Sequence, residues 1–209
     1  MATLAVLALL PGACGDDPVA ESSTSTTAEV TTTTAEPTTT TTAGALALQS
    51  RLRMDGIGPV RMGMTLVEAS TAVGRPVEVD PSYLRNDGEP TLCAFAFTPL
   101  DPGGPAKVGF MVDRESGAEE WRIVRTDIED DLPTATEEDI RVGSTETEVK
   151  AAYPTVRVEG HPYREDGHYM IVDPDGSGGL LLIFETDGDK VERFRSGQEA
   201  SVQAIEGCS

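Results

Sequence analysis

Two stretches of the chain, eighty residues apart, carry the same local instruction. Val60–Gly74 and Ile140–Pro154 align without a gap: Arg61 matches Arg141, Gly63 matches Gly143, Thr65 matches Thr145, Glu68 matches Glu148 and Ala72 matches Ala152. Aliphatic Val60 and Met62 match Ile140 and Val142. Each copy contains Thr-x-x-Glu, a capping box, in which the Thr hydroxyl accepts from the third helical amide and the Glu reaches back to the Thr amide. Each therefore opens a helix of about two to three turns. Gly74-Arg75-Pro76 stops the first and Pro154 the second. Gly63 and Gly143 stand just ahead of the caps, where the chain must turn tightly. Capping boxes are common, so two unrelated helix starts remain the competing explanation.

After each helix the pattern changes to period two. The first half offers Val77–Val79, Leu92–Thr98, Lys107–Val112 and Glu120–Thr126 as strands; the second offers Val156–Glu159, His168–Val172, Leu180–Glu185 and Lys190–Arg195. Turn clusters separate them, among them Asp101-Pro102-Gly103-Gly104-Pro105 and Thr186-Asp187-Gly188-Asp189. The expected fold is α+β: a tandem repeat of a short helix plus a three- or four-stranded antiparallel sheet, with the helices on one face. The repeats would span about 55–130 and 131–209. Val108, Phe110 and Val112 alternate with Lys107, Gly109 and Met111, which suits a strand buried on one side, so the other sheet face is expected to be open.

The first fifty residues are not fold material by composition. From Ser22 to Gly44 the chain is mainly Thr, Ser and Ala, a composition that cannot bury enough apolar surface to offset ordering entropy. Residues 15–50 are therefore expected to be a disordered Thr-rich linker. No apolar run approaches the roughly 20 residues a membrane-spanning helix needs. Net charge is −20, with 36 acidic against 16 basic residues. Such a surface repels phosphate backbones, so nucleic acid is not an expected partner.

Ala2–Leu10 is apolar, and Pro11-Gly12-Ala13-Cys14 then leads into Gly15-Asp16-Asp17. Small residues before a cysteine and polar ones after it resemble the lipobox of bacterial lipoproteins. The resemblance implies a signal peptide over 1–14, cleavage before Cys14, and a diacylglyceryl anchor on its thiol. Pro11 departs from the usual leucine, and the basic start of a signal peptide is missing. Two acyl chains would anchor stably, at about 0.8 kcal/mol per buried CH₂. Val60-Arg61-Met62-Gly63-Met64-Thr65-x-x-Glu68, with Gly74-x-Pro76, resembles the helix-entry motif of BamE/SmpA-type small lipoproteins. A doubled unit of this kind with a disulfide is similar to beta-lactamase inhibitory protein (BLIP-like) domains, in which tandem helix-plus-sheet repeats present a sheet to a partner. The remaining cysteines, Cys93 and Cys208, are expected to pair, as suits an exported chain.

Little points to catalysis. His161 and His168 are the only histidines, and no G-x-S-x-G elbow is present. Asp173-Pro174-Asp175-Gly176-Ser177-Gly178 reads as a hairpin turn rather than a calcium loop, because position twelve is Phe184. No catalytic residue, metal site or cofactor is expected. Arg193 and Arg195 share one face of a strand, and with Trp121, Arg122 and Arg125 they form a candidate contact surface. Ordinary cross-strand ion pairing is the plainer alternative. The expected function is a lipid-anchored binding or scaffolding protein of the bacterial envelope, held at the outer face of the cytoplasmic membrane through Cys14 and engaging a protein partner. Inhibition of a secreted enzyme and an envelope hydrolase are the alternatives.

Overall fold

A computed structural model describes residues 46–84, 91–100, 104, 106–129, 132–174, 176 and 179–208. Cys14 and the stretches expected to be a signal peptide and a linker, up to residue 45, lie outside the described residues, as do Asp175, Ser177 and Gly178. The fold is α+β and mostly strand. A small antiparallel sheet opens it, made of β1 (Leu52–Arg53), β2 (Gly56–Ile57) and β3 (Val60–Arg61). Then come α1 (Leu66–Val73), β4 (Glu78–Val79), β5 (Cys93–Pro99), β6 (Lys107–Asp113) and β7 (Arg122–Ile128). The later part runs α2 (Glu146–Ala152), β8 (Arg157–Gly160), β9 (His168–Val172), β10 (Leu180–Thr186), β11 (Val191–Gln198) and α3 (Glu199–Gln203). Strands β4 to β11 form one antiparallel sheet in the order β4-β5-β6-β7-β11-β10-β9-β8. Each set of four is a meander, and their last strands, β7 and β11, pair at the middle.

Both capping boxes form. The Thr65 hydroxyl accepts from the Glu68 amide at 3.2 Å while the Thr65 amide donates to Glu68 Oε2 at 2.8 Å. At Thr145 and Glu148 the same two bonds measure 3.2 and 2.7 Å. Gly63 and Gly143 take the left-handed conformation at φ 83° and 88°, which turns each chain into its cap. Each cap is also stitched to the start of a late strand. The Gly63 amide donates to the Ile123 carbonyl (2.7 Å) and the Ile123 amide to the Met64 carbonyl (2.9 Å). The Gly143 amide donates to the Val191 carbonyl (2.7 Å) and the Val191 amide to the Ser144 carbonyl (2.8 Å).

Apolar side chains gather in two clusters. The larger holds Ala69 and Val73 of α1, Val149 of α2, and sheet residues such as Ala94, Phe110, Met170, Phe184 and Phe194. Fully burying a side chain such as Phe110 stabilises by about 1.5–3 kcal/mol. The smaller holds Tyr169, Ile171, Leu181, Ile183 and Val202 of α3. Met170 and Val172 belong to the first and Tyr169 and Ile171 to the second, as a period of two requires of one strand serving two faces.

Three expectations need correction. Leu46 is fully buried, so the fold begins ahead of residue 51, and the linker does not run to 50. The helices do not all serve one cluster, because α3 belongs to the smaller one. Met111 is buried along with Val108, Phe110 and Val112, so β6 is covered on both sides rather than one. No described helix is long and apolar enough to cross a membrane.

Candidate functional site

Cross-strand pairing lays two rows of side chains over the middle of the large sheet, on the face of the smaller cluster. One row runs through Asp127, Arg195, Ile183 and Ile171. The next runs through Arg193, Glu185, Tyr169 and Glu159. Directly opposed residues share a face, so β7, β11, β10 and β9 bring charge and aromatic rings together. Arg125 sits two pairs along on the same face, opposite Gly197.

The arginines are held by the end of α3. Arg125 Nη1 donates to the carbonyls of Ser201 and Ala204, both at 2.8 Å, and its Nε donates to Asp127 Oδ2 at 3.0 Å. Arg195 Nε donates to the Val202 carbonyl at 2.7 Å and Nη1 to Glu185 Oε2 at 3.1 Å. Cations at a helix C-terminus satisfy its free carbonyls and favour its dipole. The guanidiniums also lie against rings, Arg125 at 5.5 Å from Phe95 and Arg195 at 5.3 Å from Tyr169.

His161 completes the cluster from the segment after β8. Its Nδ1 accepts from the Tyr163 amide at 3.0 Å, which places the ring proton on Nε2 of the neutral imidazole, and Nε2 donates to Glu185 Oε1 at 2.9 Å. Burial works to raise the Glu185 carboxyl, but the His161 bond and the charges of Arg193 and Arg195 together hold it below the usual carboxylate range. Burial wins at Asp127, whose carboxyl is raised despite Arg125.

These groups border a cleft of about 440 Å³. No Ser, Thr or Cys is among the described residues that line it, and both nitrogens of His161 are engaged. The site therefore offers hydrogen-bond donors, carboxylates and aromatic rings in one place. Among the described residues no group of His, Cys, Asp and Glu is placed to hold a metal ion. A larger groove of about 750 Å³ runs beside β4, walled by Val73, Val79, Phe97 and Pro99. Its Arg75 is committed to the Leu46 and Leu100 carbonyls, and Glu78, Asp80 and Lys107 complete the lining.

Of the five residues expected to form a contact surface, Arg125, Arg193 and Arg195 meet at the cleft and two do not. Trp121 precedes β7, packs against the larger cluster, and carries the Arg114 guanidinium 4.4 Å above its ring. Arg122 opens β7 and donates to the Gly63 carbonyl (3.0 Å) and to Glu120 (2.9 Å). Asp127, His161, Tyr169 and Glu185 were not visible as site residues in the sequence. His161 was noted only as one of two histidines, and Glu185 left a trace as an acid closing the apolar run Leu180–Phe184. The other histidine serves the helix: His168 Nδ1 and the Thr186 hydroxyl meet Glu146 Oε1 of α2 at 2.6 and 2.7 Å. Cys93 and Cys208 stand at disulfide distance, with Cα atoms 5.3 Å apart.

No family model, curated protein or solved structure matches this chain.

Proposed function

We propose that the chain is a lipid-anchored binding protein of the bacterial envelope that meets a protein partner with the cleft-bearing face of its sheet. The observation that carries this reading is the gathering of Arg125, Arg193 and Arg195 at one cleft in a chain of net charge −20. Concentrating scarce cations among rings is how a recognition surface is built, since Arg and Tyr anchor many interfaces. Cys14 supplies the anchor and the Thr-rich stretch the stalk. In this reading the domain is a tandem repeat, with α1 and α2 on one face of the sheet. Its support is the matched stitching of Gly63 to Ile123 and of Gly143 to Val191. The face beneath α1 and α2 supplies the larger core, and the cleft-bearing part of the far face, beside α3, is left for recognition.

The test uses the full chain in a bacterial host. Membrane fractionation should retain the protein, and Cys14→Ser should release it. A photo-crosslinking residue at Tyr163, exposed at the cleft rim, should yield a discrete adduct, and one at Val67, exposed on α1, should not. Unchanged membrane retention of Cys14→Ser removes the anchor. Equal adducts from both positions, or none from Tyr163, remove the recognition face.

A further inference from the structure

Most of the polar groups bordering the cleft are already paired. Asp127 accepts from Arg125, Glu185 from His161 and Arg195, and Glu206 from the Tyr163 hydroxyl. Two donors remain. Nη2 of Arg195 and the hydroxyl of Tyr169 are buried and make no well-directed hydrogen bond, the Arg195 guanidinium and the Tyr169 oxygen lying close enough to interact with each other. The two residues are only 5% and 7% exposed, and both line the cleft. Leaving such groups unmatched is costly, the more so for a charged donor, so a pair of them held against each other calls for a shared acceptor. Arg193 adds a half-exposed guanidinium with only a loose contact to Glu185, at 3.7 Å.

We infer that the cleft binds a carboxylate carried on a small apolar body, its two oxygens accepting from Arg195 Nη2 and the Tyr169 hydroxyl, with Arg193 at the mouth. This deepens the recognition reading and rests on it for the choice of face. A carboxylate fits better than a phosphate for two reasons. Arg125, Arg164, Arg193 and Arg195 share the lining with Asp127, Glu129, Glu185 and Glu206, so the cleft has no net positive charge with which to hold a dianion. A planar monoanion also matches one guanidinium nitrogen plus one hydroxyl, one oxygen to each. Phe95, Tyr163 and Ile205 supply the apolar wall, and about 440 Å³ lies within the range of small-ligand pockets. Burial, then the nearby Glu185 charge, raises the Tyr169 hydroxyl above its ordinary range, so it stays protonated and donates. The carboxylate has two sources: a free small acid, or the C-terminus of a peptide chain.

The experiment is an NMR titration of the full chain, following the Arg side-chain Nε and Tyr ring signals. The probes are benzoate, benzamide, inorganic phosphate, N-acetyl-Ala-Phe and its C-terminal amide. Benzoate should shift the Arg195 and Tyr169 signals saturably and bind at least tenfold tighter than benzamide or phosphate. Tyr169→Phe, which keeps the ring, and Arg193→Gln, which is half exposed, should each weaken benzoate about fivefold or more with unchanged melting temperature. N-acetyl-Ala-Phe binding tighter than benzoate assigns the site to chain termini, and the reverse assigns it to small acids. Benzamide or phosphate binding as tightly as benzoate overturns the inference, as do unmoved Arg195 and Tyr169 signals. If cross-linking from Tyr163 persists while benzoate fails, the ligand class falls and the recognition face stands. Benzoate binding without any adduct removes the protein partner instead.

Discussion

Glu148 serves its helix twice, accepting from both the amide and the hydroxyl of Thr145. Those bonds hold its carboxyl below the ordinary value of 4.5, and Thr65 does the same for Glu68. A carboxylate depressed in the folded state contributes stability that is complete above its unfolded value and is lost as pH falls through the folded one. Glu146 and Glu185 act in the same sense, because their hydrogen bonds outweigh the burial that works to raise them. Asp113 and Asp127 act in the opposite sense, losing stability as pH rises from 3.8 through their raised values, but among the described residues they are two groups against six, since Asp80 and Asp187 are lowered as well. Denaturant midpoints should therefore hold near neutrality and fall below about pH 4.5. Glu148→Gln keeps the cap without titrating, so its acid limb should be shallower, whereas Thr145→Ala, which also removes a bond to the Glu148 carboxylate, should cost about 1 kcal/mol near neutrality and less in acid. An identical acid limb in Glu148→Gln would show that the cap carboxylate does not titrate with folding. The caps were legible in the sequence because four consecutive residues contain the whole signal. The arginine network was not, since Arg125 finds Ser201 and Ala204 at separations of 76 and 79 residues.

Among the elements, the pairing of β7 with β11 governs the site, and Gly197 governs that pairing. Its φ is 152°, and a Cβ there would lie 2.2 Å from the Val124 carbonyl oxygen. Val124 is itself the extra residue of a β-bulge, since Met111 pairs with Arg125 and Val112 with Ile123. Gly197→Ala should destabilise by about 2 kcal/mol or more, from strain and overpacking together. Gly160→Ala, with open space around its Cβ, should change stability by less than about 0.5 kcal/mol. Thermal unfolding of the two variants checks the contrast, and equal shifts would mean that the β7–β11 join tolerates a side chain. The large-sheet strands were readable because period-two alternation persists over several residues, as in His168–Val172, where expectation and structure coincide. The two-residue strands β1, β2 and β3 are too short to show a period. Helix α3 has no side-chain cap and takes its hold from Arg125 and Arg195, so nothing local announced it.

Across the whole molecule, the bond between Cys93 and Cys208 spans 115 residues, so it joins β5 to the chain end beyond α3. In the chain-entropy account a loop of about 100 residues is worth about 4.7 kcal/mol. Reduction by dithiothreitol should lower unfolding stability by a few kcal/mol, and a Cys93→Ala, Cys208→Ala double variant should reproduce the reduced value without responding to reductant. Unfolding curves that coincide with and without reductant would mean that the cross-link does not constrain the unfolded chain. Their pairing was readable only as the leftover of three cysteines, because the sequence gives no distance between β5 and the tail. The cross-link also changes what an attack by a protease can accomplish. A cut in any connection between the two cysteines would leave both fragments covalently attached, so a nicked molecule would stay one particle until a reductant reached it.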